Sequence, residues 1–204
     1  MDLPSSRTIQ HLVLDLAAPA QSHVFIESGT FMGSTTRWAS EHFGAVFTIE
    51  RHAPLFQTHS AALRALGNVT PLLGDSRDYI ATLAKGLNEV PAVYWLDAHW
   101  SGQGTVGEGD ECPLIDELAA LAQRSRDVIL IDDAWLFLCA PPLPHRASDW
   151  PCLAKVIQAL GSHRHVQIVE DVIVAIPDDP TLVGVLTQHA QRHSTLQLKE
   201  RQAA

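Results

Sequence analysis

Five short apolar runs, separated by stretches of helical length, constrain this chain more than any other feature. The runs are His23–Glu27 (HVFIE), Ala45–Glu50 (AVFTIE), Val69–Leu73 (VTPLL), Ala92–Asp97 (AVYWLD) and Asp127–Asp132 (DVILID). Each has five or six residues, too few for a helix, and β-branched and aromatic residues are frequent in them, so they read as buried strands. Helix-like stretches lie between them, near residues 33–43, 53–66, 76–86 and 112–125. Strand, helix and strand in regular alternation return to one sheet by right-handed crossovers, which gives a parallel sheet with helices on both faces. Upstream, Thr8–Ala17 sets Ile9, Leu12, Val13 and Leu16 at helical spacing.

The alternation then breaks. A proline-containing stretch, Ala140–His145 (APPLPH), leads to a helix expected near residues 150–161. Two more apolar runs follow, His165–Val169 (HVQIV) and Val172–Ile176 (VIVAI), with only Glu170 and Asp171 between them. Two residues cannot hold a crossover helix, so these runs are expected to pair as an antiparallel hairpin. The tail beyond Pro180 is polar and reads as a frayed helix. No repeat, low-complexity tract or long linker interrupts the chain, and its 204 residues suit a single α/β domain over residues 1–204.

Composition narrows the partners. A formal charge of −9 argues against a nucleic-acid groove, which needs clustered Lys and Arg, and favours cationic ligands. No apolar run approaches the roughly 18 residues of a membrane span, and MDLPSSRTIQ lacks the layout of a signal peptide. Cys112, Cys139 and Cys152 form no CxxC pair, so a zinc knuckle or disulfide framework is not expected, and a reducing cytoplasm is the simplest setting. A homodimer is only the base-rate expectation.

Function begins at the strand ends. Each of the first five strands ends in, or is soon followed by, an acid: Glu27, Glu50, Asp75, Asp97 and Asp132. Any one of them could merely cap the next helix, but five along the carboxyl edge of a sheet, where such folds bind ligands, point to a site. After the first strand comes Glu27-Ser-Gly-Thr-Phe-Met-Gly33-Ser-Thr-Thr. Gly29 allows a tight turn against a ligand, and Gly33 lets the next helix start close to the sheet. Glu50 lies 21 positions beyond Gly29, where an acid accepts hydrogen bonds from ribose hydroxyls. Glu27 would repel a pyrophosphate but suits an ammonium group. With no G-x-G-x-x-G spacing, the site favours S-adenosylmethionine over a nicotinamide dinucleotide.

These residues resemble a known family. Glu27–Gly33 (ESGTFMG) looks like the first motif of class I S-adenosylmethionine-dependent methyltransferases, in the form found in catechol and caffeoyl-coenzyme A O-methyltransferases. Gly74-Asp75-Ser76 is similar to their adenine-contacting segment, and Asp97 with Asp132-Asp133 resembles their metal ligands. Leu96–Gly102 (LDAHWSG) and Ile131-Asp-Asp133 are similar to the macrocin-type and sugar-modifying O-methyltransferases. The resemblance spans about residues 23–176. It implies a Rossmann-like fold with a mostly parallel seven-stranded sheet ending in an antiparallel hairpin. It also implies cofactor contacts from Glu27, Gly29, Thr30, Gly33, Ser34, Thr35, Glu50, Arg51, Asp75, Ser76 and Asp97, and Mg²⁺ or another divalent metal on Asp97, Asp132 and Asp133. The implied acceptor is a hydroxyl of a small molecule or sugar in natural-product or surface-glycan biosynthesis.

Methyl transfer to a hydroxyl needs an in-line geometry and loss of a proton, and a metal on carboxylates supplies part of both. His99, two residues past Asp97, is the candidate general base, since an ordinary imidazole titrates near neutrality. A His that only bonds within its loop is the plainer alternative. Trp100–Glu111 (WSGQGTVGEGDE) has four glycines and no apolar period, so it is either a loop that closes over substrate or a connector. Trp100 and Trp135 are stacking candidates or core. His189 and His193, without an acid nearby in sequence, read as a solvated face; His163 and His165 suggest no site, and Tyr79 and Tyr94 read as structural. Two alternatives stand beside the methyltransferase: a nicotinamide oxidoreductase on a similar sheet, and a non-catalytic nucleoside-binding module.

Overall fold

The computed structural model describes Leu3, residues 6–102 and residues 104–203. Met1, Asp2, Pro4 and Ser5 of the N-terminal stretch, Gln103 of the glycine-rich loop and Ala204 lie outside the described residues. The strands are Val24–Ser28 (β1), Ala45–Glu50 (β2), Val69–Leu73 (β3), Ala92–Leu96 (β4), Val128–Ile131 (β5), Arg164–Val169 (β6) and Val172–Pro177 (β7). They form one seven-stranded sheet in the order β3-β2-β1-β4-β5-β7-β6. β1 to β5 run parallel, while β7 runs antiparallel to both β5 and β6. The hairpin forms as the two-residue separation requires: Val169 pairs with Val172, and Glu170 turns the chain at φ +54°.

The helices are Arg7–Ala17 (α1), Ser34–His42 (α2), Ala53–Arg64 (α3), Ser76–Gly86 (α4), Leu114–Ala120 (α5), Trp135–Leu138 (α6), Leu153–Leu160 (α7) and Pro180–Ala203 (α8). Side chains alternate across a strand, so each central strand feeds two cores. Val93 and Trp95 of β4 pack in a layer with Leu12, Trp38, Leu63 and Leu186, which come from α1, α2, α3 and α8. Tyr94 and Leu96 face the other way, onto Ile80, Leu118, Phe137 and Leu160 of α4, α5, α6 and α7. Burial on both faces explains why these strands read as continuous apolar runs rather than as alternating ones.

Four readings need revision. The helix placed near 112–125 is only Leu114–Ala120, because Pro113 takes its N-cap and the chain turns at Leu121. The stretch between β5 and the helix near 150 holds α6 and a 3₁₀ turn, Ala147–Asp149. The tail is a 24-residue helix that docks on the core through Leu182 and Leu186. His189 is buried there, its Nε2 2.9 Å from Asp15 of α1. It is no solvated face, since its acid comes from the other end of the chain. Among the described residues no helix is long and apolar enough to cross a membrane.

Candidate active site

Strand order reverses between β1 and β4, and the loops leaving their carboxyl ends diverge to leave a crevice. Gly29 stands at its base with φ +86°. A Cβ there would come within 2.1 Å of the Asp97 carbonyl oxygen, so the close approach that demands glycine is to the end of β4 itself. Its N–H and that of Thr30 donate to the Ile49 carbonyl at 2.9 and 3.2 Å, tying the loop to β2. Gly33, at φ +75°, is the N-cap of α2, and a Cβ there would press on Leu63 of α3.

Above this crevice is a cavity of about 150 Å³. Gly29, Glu50, Arg51, Asp75, Ser76, Asp97 and His99 all line it. Glu50 is buried, and its two oxygens accept the Phe31 N–H at 2.8 Å and the His52 N–H at 2.7 Å. Each carboxylate oxygen has a second lone pair, so Glu50 pins the loop and can still accept from a ligand hydroxyl. Glu27, Thr30, Gly33, Ser34 and Thr35 do not line the cavity. Glu27 lies beneath the loop, where its Oε2 accepts the Thr36 and Thr48 hydroxyls at 2.5 Å each. Ser34 and Thr35 open α2.

Asp75 serves its own helix and also faces the cavity. It caps α4 by accepting the Arg77 N–H at 3.0 Å, and it lines the cavity. It is also ion-paired: Arg77 Nη2 lies 2.7 Å from Oδ2, and Arg51 Nε lies 3.5 Å away. The Arg77 guanidinium holds the Asp75 carboxyl below its ordinary range, against the opposing effect of burial. The same two arginines reach Asp110 at the end of the glycine-rich loop, with Arg77 at 2.6 Å and Arg51 at 3.1 Å. Ser101, Thr105 and Val106 of that loop line the cavity, so this ion-pair network ties a wall of the cavity to α4.

The next residue, Glu111, fastens the loop on its other side. Its carboxylate is buried and takes the Trp150 Nε1–H at 2.7 Å, the Arg146 N–H at 3.0 Å and His145 Nδ1 at 3.0 Å. Burial pulls against ionisation, but these donors together hold Glu111 below its ordinary value. Trp100 is buried, with its N–H on the Glu111 carbonyl and its ring 5.4 Å from His145. It is packing for the loop, not a surface for stacking. Trp135 differs, remaining 43% exposed two residues past Asp133.

β4 and β5 are neighbours, so the acids beyond their ends converge. Atoms of Asp97, His99 and Asp133 lie within 4.8 Å of one another. His99 Nε2 is 3.2 Å from Asp97 Oδ1 and 3.0 Å from Asp133 Oδ2, but the ring N–H is aimed at neither oxygen. These are charge contacts around a shared point rather than hydrogen bonds. Burial disfavours the imidazolium, yet the Asp133 and Asp97 carboxylates outweigh it and push His99 up to about 10. Asp133 is driven down: burial opposes ionisation, and the His99 charge prevails. Asp132, expected beside Asp133 as a ligand, turns inward. It is buried, its Oδ1 accepts the Asp133 N–H at 2.9 Å, and burial plus the Asp97 charge raise it to about 7. Asp133 takes φ +53°, a left-handed conformation that Asp tolerates, and this sends the two adjacent side chains different ways. Two hard oxygen donors and one imidazole make a set that fits Mg²⁺ or Mn²⁺.

No family model and no curated protein matches the sequence. Solved structures do match. An O-methyltransferase described as putative, from Klebsiella pneumoniae, is similar over 83% of this chain and 80% of its own, at 18% identity and a TM-score of 0.57. The O-methyltransferase of Bacillus cereus in complex with SAH covers 84% and 81%, at 15% identity and 0.57. TomG of Streptomyces achromogenes, an O-methyltransferase involved in tomaymycin synthesis and solved with SAM, covers 83% and 80%, at 18% and 0.55. The chain has the fold of these O-methyltransferases. At such identities the likeness establishes the Rossmann-like sheet with its terminal hairpin, the architecture expected from the strand pattern.

Arg77, Asp110, Glu111 and Trp150 were not singled out in the sequence. The one signal for them was an acidic pair, Asp110-Glu111, closing a glycine-rich loop.

Proposed function

We propose that this protein is an S-adenosylmethionine-dependent methyltransferase that uses a divalent metal to methylate a hydroxyl of a small molecule or sugar. The observation that carries this reading is the convergence of Asp97, His99 and Asp133 beside a cavity that Glu50 also lines. The neighbours with SAM and SAH in their descriptions support the choice of cofactor.

In this reading Glu50 accepts the ribose hydroxyls, and Gly29 lets the loop backbone lie close under the ligand. Ser76 and Asp75 border the base, with Arg77 and Arg51 keeping Asp75 ionised. Asp97, His99 and Asp133 would hold the metal, which lowers the pKa of a coordinated hydroxyl and orients its oxygen. We assign His99 to that ligand set rather than to proton abstraction. A metal on Nε2 would displace its proton and take up its lone pair, leaving that nitrogen none for a substrate proton. Trp135 offers a ring face to a sugar or aromatic acceptor near Asp133.

The test is methyl transfer from labelled S-adenosylmethionine to a panel of hydroxylated sugars and phenols. EDTA is expected to stop transfer and Mg²⁺ to restore it, with Asp133→Asn inactive. Transfer indifferent to both EDTA and Asp133→Asn removes the metal and leaves the cofactor; no transfer to any acceptor removes the reaction itself.

A further inference from the structure

Below the Asp97–His99–Asp133 cluster lies a second, much smaller cavity of about 10 Å³, the least that holds one water. His99, Asp132 and Glu117 supply its polar lining, with Leu96, Leu114 and Phe137 among its apolar walls. Glu117 has no place in the function proposed above. It sits in α5 one turn from Leu114 and next to Leu118, among the residues that pack into the core, and is 1% exposed. A carboxyl on the apolar face of a helix is an expensive choice unless its oxygens are satisfied. One oxygen is not: Glu117 Oε1 has no hydrogen-bond partner. Across the same cavity, His99 Nδ1 is buried and has none either.

We propose that Glu117 is a positioning residue for His99, acting through a single water in this cavity that bridges Glu117 Oε1 and His99 Nδ1. The cavity is polar on two sides and large enough for one water, so a bridge satisfies both buried atoms at once. An imidazole whose Nδ1 is held in this way has its ring plane fixed, and Nε2 then stays turned toward Asp97 and Asp133. Metal-binding histidines are generally oriented by a partner on the other ring nitrogen. Burial raises Glu117 to about 7 against the pull of the Ser76 and Ser28 hydroxyls beside it. A water serves either protonation state, since it can donate to a carboxylate or accept from a carboxyl.

The ion-binding part of this inference rests on the metal reading above; the bridge itself does not. A crystal structure of the metal-free wild-type protein is expected to show one water within hydrogen-bond reach of both Glu117 and His99 Nδ1. A dry cavity, or His99 Nδ1 bonded elsewhere, overturns the proposal whether or not the protein binds metal. Calorimetry with Mn²⁺ and, separately, S-adenosylhomocysteine then compares wild type with Glu117→Gln and Glu117→Leu. The Leu variant is expected to bind Mn²⁺ about 10- to 100-fold more weakly, and Gln, which keeps an acceptor oxygen, to restore most of the affinity. S-adenosylhomocysteine affinity should fall far less than Mn²⁺ affinity. Unchanged Mn²⁺ affinity in the Leu variant refutes positioning, as does an equal loss of both ligands in both variants. A wild-type protein that binds no Mn²⁺ sinks the metal reading and the ion arm together, and the bridging water still decides the rest.

Discussion

Glu50→Ala separates the site's architecture from its binding chemistry. In the free protein the side chain accepts two backbone hydrogen bonds, from Phe31 and His52. Removing it releases the β1 loop at Phe31, which already holds φ +47°. Phe31 lines the open cavity, so its N–H can turn to water, and the stability loss should be about 1–3 kcal/mol rather than the full cost of two buried orphans. The larger effect is on the ligand. Two ribose hydroxyls lose a charged acceptor, a loss of about 1.5–3 kcal/mol, or about 10- to 150-fold in Kd. Urea unfolding gives the first quantity, and calorimetric titration with S-adenosylhomocysteine gives the second. A folded Glu50→Ala protein that binds the ligand within about threefold of wild type would refute the placement of the ribose against Glu50.

Other perturbations follow from the same geometry. His99→Ala should lower divalent-ion affinity and turnover while leaving S-adenosylhomocysteine affinity nearly unchanged; loss of that affinity would place His99 in the cofactor site instead. Asp110→Ala unties the glycine-rich loop from Arg77 and Arg51, so hydrogen exchange at residues 104–109 should quicken without change elsewhere, and unaltered exchange would mean the ion pairs do not restrain it. Glu111 has a folded pKa below its ordinary 4.5. Its ionised form therefore stabilises the fold above that pH, and the contribution disappears as pH falls through the folded value. Wild type should lose its stability advantage over Glu111→Gln on acidification below about 4.5; an advantage that grows in acid would reverse the sign of the argument.

The sheet was legible because the extent of each apolar run is a local fact. Ala45–Glu50 and Val69–Leu73 appear with the ends read from their apolar runs, and the spacing at Glu170-Asp171 dictated the hairpin. The acids at the strand ends were legible for the same reason. What each acid does was not, because that depends on partners far away in the chain. Asp75 could be read as a helix cap or as part of a site, and nothing local showed that Arg77 and Arg51 converge on it from α4 and the end of β2. Asp132 and Asp133 looked equivalent, and a left-handed backbone at Asp133 sends one inward and the other to His99. Trp100 could be read either as a stacking surface or as core, and Glu111 decides for core by holding it in a packed corner with residues 34 to 39 positions beyond Glu111. Glu117 left a mark that periodicity could have caught, a charge on an apolar helical stripe.

The account stands on a nucleoside-bearing amino-acid cofactor occupying the crevice between β1 and β4. Calorimetric titration of the wild-type protein with S-adenosylhomocysteine, and in parallel with NADH, measures this directly. The expected result is saturable one-to-one binding of the former and no heat from the latter. Saturable NADH binding, or a folded protein indifferent to S-adenosylhomocysteine, would contradict it.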